Sequence, residues 1–190
     1  MHPSYALIKV RERFDEWTDH MAYALNNVLL DGLYCEFGVY KGGTLNFMAP
    51  RVPNQVFHGF DSFRGLREEW LQNPIDHLDL NGVPPDISHK NVLLHVGTFD
   101  ETLAPFVAEQ IQNAAFLHID SDTYSSTKTI FAAFRPLIVS GTVLVFDEFF
   151  TGATTGDEAQ AFYEFIRESG YGFIFLSHHN RGGSVSAVVM

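Results

Sequence analysis

The stretch LYCEFGVYKGGTLNFMA (33–49) runs an apolar segment into Glu36, sets Gly38, Gly42 and Gly43 within six positions, and continues as a helix-compatible sequence. That order reads as strand, glycine turn, helix. A glycine turn at this junction lets a ligand approach the backbone closely, and a helix N-terminus presents free N–H groups with a partial positive charge. The spacing has neither a GxGxxG dinucleotide fingerprint nor the Lys-Ser/Thr ending of a P-loop, which weakens both of those readings. Glu36 would repel a pyrophosphate and suits a ligand carrying an amine or a sulfonium. The plain alternative is a structural turn with a solvated Glu.

Outward from this turn, β-rich runs alternate with helix-like segments, the order of an α/β sheet. LYCEFG (33–38) is the first strand, and TLNFMAPRV (44–52) starts a short helix that Pro53 helps to stop. QVFHGFD (55–61), NVLLHVG (91–97), AAFLHID (114–120) and GTVLVFDEF (141–149) are further strands, and SSTKTIFAAFRPLI (125–138) and DEAQAFYEFIRES (157–169) are helices. GFIFLSHH, the turn NRGG and SVSAVVM (172–190) give an antiparallel hairpin at the end. Residues 5–30 carry Leu7, Val10, Phe14, Trp17, Met21, Leu25 and Val28 at helical spacing, so one or two helices are expected ahead of the first strand. The 62–90 connection, with Pro74, Pro84 and Pro85, is long for a compact domain and is either a functional loop or partly disordered.

Asp61 closes the second strand about 20 residues beyond the glycine turn, where a doubly wound nucleotide fold places a carboxylate on ribose hydroxyls. Paired with Glu36, it points to a ribose-bearing ligand. Composition agrees: 23 acidic against 12 basic residues give net −11, which opposes nonspecific binding to nucleic acid and anionic membranes and leaves a small molecule as the better partner. At 190 residues with 18 Phe, one domain over 1–190 is expected, with N-terminal helices in 1–32 and the core in 33–190. No apolar run is long enough to span a membrane and the first residues lack a signal-peptide core, so a cytoplasmic location is expected. The single cysteine, Cys35, reads as a buried small hydrophobe.

YCEFGVYKGGTLNFMA, FHGFDSFRGL, GTFDETL, FLHIDSDTYSSTKTIF and VLVFDEFF, in that order, resemble the macrocin O-methyltransferase family, class I S-adenosylmethionine-dependent enzymes acting on sugar hydroxyls of glycosylated natural products. The resemblance runs from about residue 33 to the end, and DSDTYSSTK is its most specific block. It implies a Rossmann-like, mostly parallel seven-stranded sheet with a C-terminal antiparallel hairpin and helices on both faces. It also implies S-adenosylmethionine over the first turn, held by Glu36, Gly38, Tyr40, Gly43, Thr44, Asp61, Ser62, Gly97 and Asp120, and Mg2+ beside the acceptor hydroxyl. The N-terminal segment is short for the family, so the acceptor site is expected to be more open, or completed by a second subunit in a homo-oligomer.

The residues support such chemistry independently. HIDSD and FDEF end neighbouring strands, whose ends line the ligand crevice of an open α/β sheet, so Asp120, Asp147 and Glu148 can converge. Three oxygen ligands with no nearby cysteine suit magnesium, manganese or calcium; the alternative is that the acids cap helices or form ion pairs. Asp122 is a competing ligand, or a cap for the helix near Ser125. A sugar hydroxyl is a poor nucleophile that a divalent ion can acidify, and Asp120 is the expected ligand and proton acceptor. His118, His178 and His179 are the other candidate bases; only one of the adjacent pair 178/179 can face the crevice. A non-catalytic nucleoside or sugar-nucleotide binding module is the rival reading, and a nicotinamide oxidoreductase a third.

Overall fold

Apolar runs bounded by Gly, Pro and Asp become strands because only a sheet covered on both faces can bury them whole. The computed structural model describes residues 8–151 and 154–190. In chain order the elements are β1 (Glu12–Phe14), α1 (Trp17–Asn26), β2 (Leu33–Phe37), α2 (Gly43–Met48), β3 (Phe57–Asp61), β4 (Val92–Val96), α3 (Phe99–Ala108) and β5 (Ala114–Ile119). They continue with α4 (Tyr124–Phe134), β6 (Val143–Phe146), β7 (Phe150–Thr151), β8 (Thr154–Thr155), α5 (Asp157–Ser169), β9 (Phe173–His179) and β10 (Val185–Val189). The main sheet has the order β4-β3-β2-β5-β6-β10-β9-β1. β2 pairs in parallel with both β3 and β5, so the order reverses between β2 and β5, and the crevice at their C-terminal ends is where such sheets bind ligands. β9 and β10 form the antiparallel hairpin, and β10 also runs antiparallel to β6.

The sheet has eight strands, not seven. The extra one is β1, which pairs in parallel with the edge of β9 through Glu12↔Ser177, Arg13↔His178 and Phe14↔His179. The helix expected across residues 5–30 is correspondingly shorter: Val10 and Phe14 precede α1, and Leu7 lies outside the described residues. An open sheet edge offers unpaired backbone groups, and pairing with them outweighs a helical period carried by few apolar positions. The 62–90 connection is a folded loop, held by Leu80 and Gly82 N–H groups on Phe63 O and by a reciprocal Trp70–Asn73 backbone pair.

One face of the sheet packs against α3, α4 and α5 through Phe106, Phe134, Phe131, Phe162 and Phe165, and the other against α1 and α2 through Met21, Leu25, Leu45 and Met48. Cys35 is fully buried in the first of these cores, and burial pushes its thiol up. No helix among the described residues is long and apolar enough to cross a membrane.

A polar knot lies inside the second core. His20 of α1 is buried, with Nδ1 3.0 Å from Ser177 Oγ and Nε2 3.0 Å from Ser184 Oγ, and Ser177 Oγ is 2.6 Å from Ser186 Oγ. Burial, then the nearby His179, His178 and His118, lowers the His20 pKa to about 3. Its folded-state pKa is therefore below the ordinary value, and the unfolded chain binds more protons between the two. The neutral knot contributes fully above about pH 6.5 and is lost as pH falls toward 3, at up to about 1.4 kcal/mol per pH unit. In urea unfolding at pH 7, 6 and 5 the parent should lose stability relative to His20→Gln as pH falls, a comparison that cancels the raised carboxylates Asp122 and Glu148, whose contribution has the opposite sign; a difference that does not change with pH would assign the acid sensitivity elsewhere.

Candidate active site

The turn after β2 is built by close approach. Gly38 has φ 91°, and a methyl group on it would overlap the Asp120 carbonyl oxygen, so this position needs glycine on both counts. Gly38 N donates to Phe60 O at 3.0 Å and Asp120 N to Phe37 O at 2.9 Å, which ties the ends of β2, β3 and β5 together. Asp61 fixes the turn from the other side. Its Oδ2 accepts from Val39 N (2.9 Å) and Tyr40 N (2.8 Å), and its Oδ1 from Phe63 N (2.7 Å). Since a carboxylate has about four lone-pair sites, Oδ1 keeps one for a ligand. Asp61 thus organises the glycine turn as well as facing the cleft.

Above the turn is a cleft of about 550 Å³, roofed in part by Leu66, Trp70 and Leu78 of the 62–90 loop. Of the residues expected to hold a cofactor, Gly38, Tyr40, Asp61, Ser62, Gly97 and Asp120 line it. Glu36, Gly43 and Thr44 do not. Glu36 is only 1% exposed, its Oε1 lies 2.9 Å from His118 Nδ1, and the two are register partners on β2 and β5. Burial raises the Glu36 pKa, while the His118 contact opposes that shift. His118 is therefore a core partner of Glu36. Among the described residues Glu36 Oε2 and His118 Nε2 have no hydrogen-bond partner, so this pair keeps polar capacity behind the turn.

Three carboxylates converge on the cleft wall: Asp120, Asp122 and Glu148 each offer an oxygen within 4.8 Å of the others. Asp147, expected as a ligand, is outside this group, and Asp122 takes its place. Asp122 has φ 61°, a left-handed conformation that Asp tolerates better than most residues. The cap expected of Asp122 belongs to Thr123, whose Oγ1 accepts from Ser126 N at 3.3 Å and starts α4 at Tyr124. Burial first, and neighbouring acids second, raise the pKa of Asp120 strongly, of Asp122 to about 6 and of Glu148 to about 8. Buried anions this close repel one another unless a cation or protons intervene. An all-oxygen donor set matches a hard divalent ion such as magnesium, manganese or calcium.

Residues 35–149 match the family model described as a methyltransferase domain. The chain belongs to that family. Among solved structures, the methyltransferase resembles CalS11, a calicheamicin methyltransferase, at 22% identity and TM-score 0.70, over 90% of this chain and 78% of that one. It also resembles the O-methyltransferase NovP (18%, TM-score 0.68, 90% and 78%) and a Bacillus cereus O-methyltransferase in complex with S-adenosylhomocysteine (16%, TM-score 0.54, 92% and 82%). At these identities the likeness shows the fold. No curated protein matches the chain in sequence.

One residue of this methyltransferase escapes a reading of the sequence. Glu158, in the first turn of α5, is fully buried; its Oε1 accepts from Ser121 N and its Oε2 from Glu148 N, both at 3.1 Å. A single carboxylate thereby clips the loop carrying Asp120 and Asp122 to the loop carrying Glu148. Burial and the nearby Glu148 and Asp147 raise its pKa, and the two backbone donors act in the other direction. The available signal was a Glu at the start of a helix following an acidic strand end, which reads as an ordinary helix-dipole residue.

Beside the cleft, and sharing Trp70 and Glu148 with it, is a second pocket of about 690 Å³. Phe150, Asp147 and His179 line it, whereas Phe149 is fully buried in the core. Of the histidine pair at the end of β9, His179 faces this pocket of the methyltransferase, and His178 is buried with Arg13 Nη1 3.1 Å from its Nδ1.

Proposed function

We propose that this methyltransferase moves the methyl group of S-adenosylmethionine to a hydroxyl of a small, sugar-containing acceptor with the help of a divalent ion, as the resemblance to the macrocin O-methyltransferases implies. The observation that carries this reading is the meeting of Asp120, Asp122 and Glu148 on the wall of the cleft that begins at the Gly38 turn. CalS11, a TDP-rhamnose 3′-O-methyltransferase, and the O-methyltransferase NovP lend it support.

The residues present fit the cofactor. The cleft has the volume of a small-molecule site, Asp61 Oδ1 retains an acceptor position for a ribose hydroxyl, and Ser62 and the Tyr40 segment complete a polar floor. They also fit a hard divalent ion, which Asp120, Asp122 and Glu148 would hold and which would acidify an adjacent hydroxyl. The protein's own task is alignment: the acceptor oxygen must lie about 3 Å from the methyl carbon, in line with the departing sulfur. In transfer the oxygen forms a bond to the methyl carbon, the carbon–sulfur bond breaks with its electron pair staying on sulfur, and Asp120 takes the hydroxyl proton. His179, on the second pocket, is the rival proton acceptor.

Calorimetric titration with S-adenosylhomocysteine and with NAD tests the cofactor assignment. Binding of the first, with little or no heat from NAD, is expected, and Asp61→Ala should weaken it by about 1.5–3 kcal/mol plus any loss from a loosened turn. Heat with NAD and none with S-adenosylhomocysteine would contradict it.

A further inference from the structure

The second pocket has walls that discriminate by charge. Trp17 at the start of α1, Trp70 of the long loop, Phe150 of β7 and His179 of β9 supply ring surfaces, and the acids Asp147 and Glu148 lie among them. Among the described residues that line it, none is Lys or Arg. Of the basic side chains on neighbouring segments, Arg13 is held by His178 and by Ile8 O, and Arg181 pairs with Glu16 Oε1 at 3.3 Å on the exposed surface. Flat aromatic faces suit the apolar face of a sugar ring or an aromatic aglycone, whereas an acidic wall without a cationic partner penalises an anion. A divalent ion on Asp120, Asp122 and Glu148 would still leave Asp147 on this wall.

We propose that the second pocket is the acceptor subsite and that it selects uncharged or cationic ring-bearing hydroxyl compounds against phosphate-bearing ones, nucleotide-linked sugars included. This rests on the methyl-transfer reading and narrows it. The likeness to CalS11 is one of fold, and the TDP-linked substrate of that protein is not carried over, because no Lys or Arg among the described lining residues neutralises a diphosphate.

Trp17 and Trp70 are the only two tryptophans in the chain, and both line this pocket; Trp70 also borders the cofactor cleft, so fluorescence reports the pocket once that cleft is saturated with S-adenosylhomocysteine. The probes are benzyl glucoside, its phosphate monoester and the benzyl glycoside of glucosamine, titrated into the full chain with S-adenosylhomocysteine, with and without magnesium. The neutral and amino probes should change the fluorescence, and the phosphate should bind about 10-fold more weakly or worse, as like charges across an interface do. Gln72→Lys, on the same wall, should narrow that gap by improving phosphate binding, and Trp70→Phe should remove a large part of the signal. Equal or tighter binding of the phosphate, or no response to either the neutral or the amino probe, overturns the proposal. Heat from S-adenosylhomocysteine on the same sample reads the cofactor site separately, so a failure there is told apart from a wrong charge preference.

Discussion

Asp120→Asn is expected to lower the methyl-transfer rate by ~10²- to 10⁴-fold at saturating magnesium, the usual contribution of general-base assistance, with no recovery at any metal concentration. The expectation follows from its place: Asp120 lines the cleft and belongs to the converging carboxylates, so under the proposed mechanism the change removes both an ion ligand and the proton acceptor. Glu148→Gln and Asp122→Asn remove one ligand each and should be partly rescued by excess magnesium. Asp147→Asn should leave the magnesium dependence near that of the parent protein, since Asp147 lies outside the convergent group. Helix capping does not complicate the Asp122 result, because Thr123 performs it. Initial rates against magnesium concentration for the four variants are the measurement. A dead Asp122→Asn beside a rescuable Asp120→Asn would exchange the two roles.

Glu158→Gln should cost about 1–3 kcal/mol of stability and, separately, about 10²-fold in rate. The amide retains one acceptor oxygen, so either Ser121 N or Glu148 N is left buried without a partner, which accounts for the stability term. The rate term reflects alignment, since displacement of about 1 Å in a reacting constellation has effects of that size. Because Glu158 spans the two acid loops, the apparent magnesium affinity should fall with the rate while S-adenosylhomocysteine affinity holds. A variant that is less stable yet keeps the parental rate and magnesium dependence would make Glu158 a structural clip only.

The fold was legible wherever a strand is buried on both faces: runs such as AAFLHI and VLVF cannot be covered any other way. β1 was not, because ERF is three residues with no apolar run, and only the exposed edge of β9 makes it a strand. The acids of the site were readable as strand-end residues after β5 and β6, but their directions were not. Asp122 enters the group through a left-handed backbone that no periodicity announces, and it displaces Asp147. Glu36 looked like a ligand of the turn because its pairing with His118 depends on the register of β2 against β5, a tertiary property. Glu158 depends on two backbone donors from segments 37 and 10 residues away, so nothing in its own neighbourhood marks it.

The most direct test is transfer of labelled methyl from S-adenosylmethionine to a neutral glycoside, with and without EDTA, and with the product's new bond assigned by NMR. Label is expected on a hydroxyl oxygen, with loss of turnover in EDTA and its return with magnesium or manganese, while S-adenosylhomocysteine affinity barely changes. Full turnover in metal-free enzyme, or label on carbon or nitrogen, would contradict it.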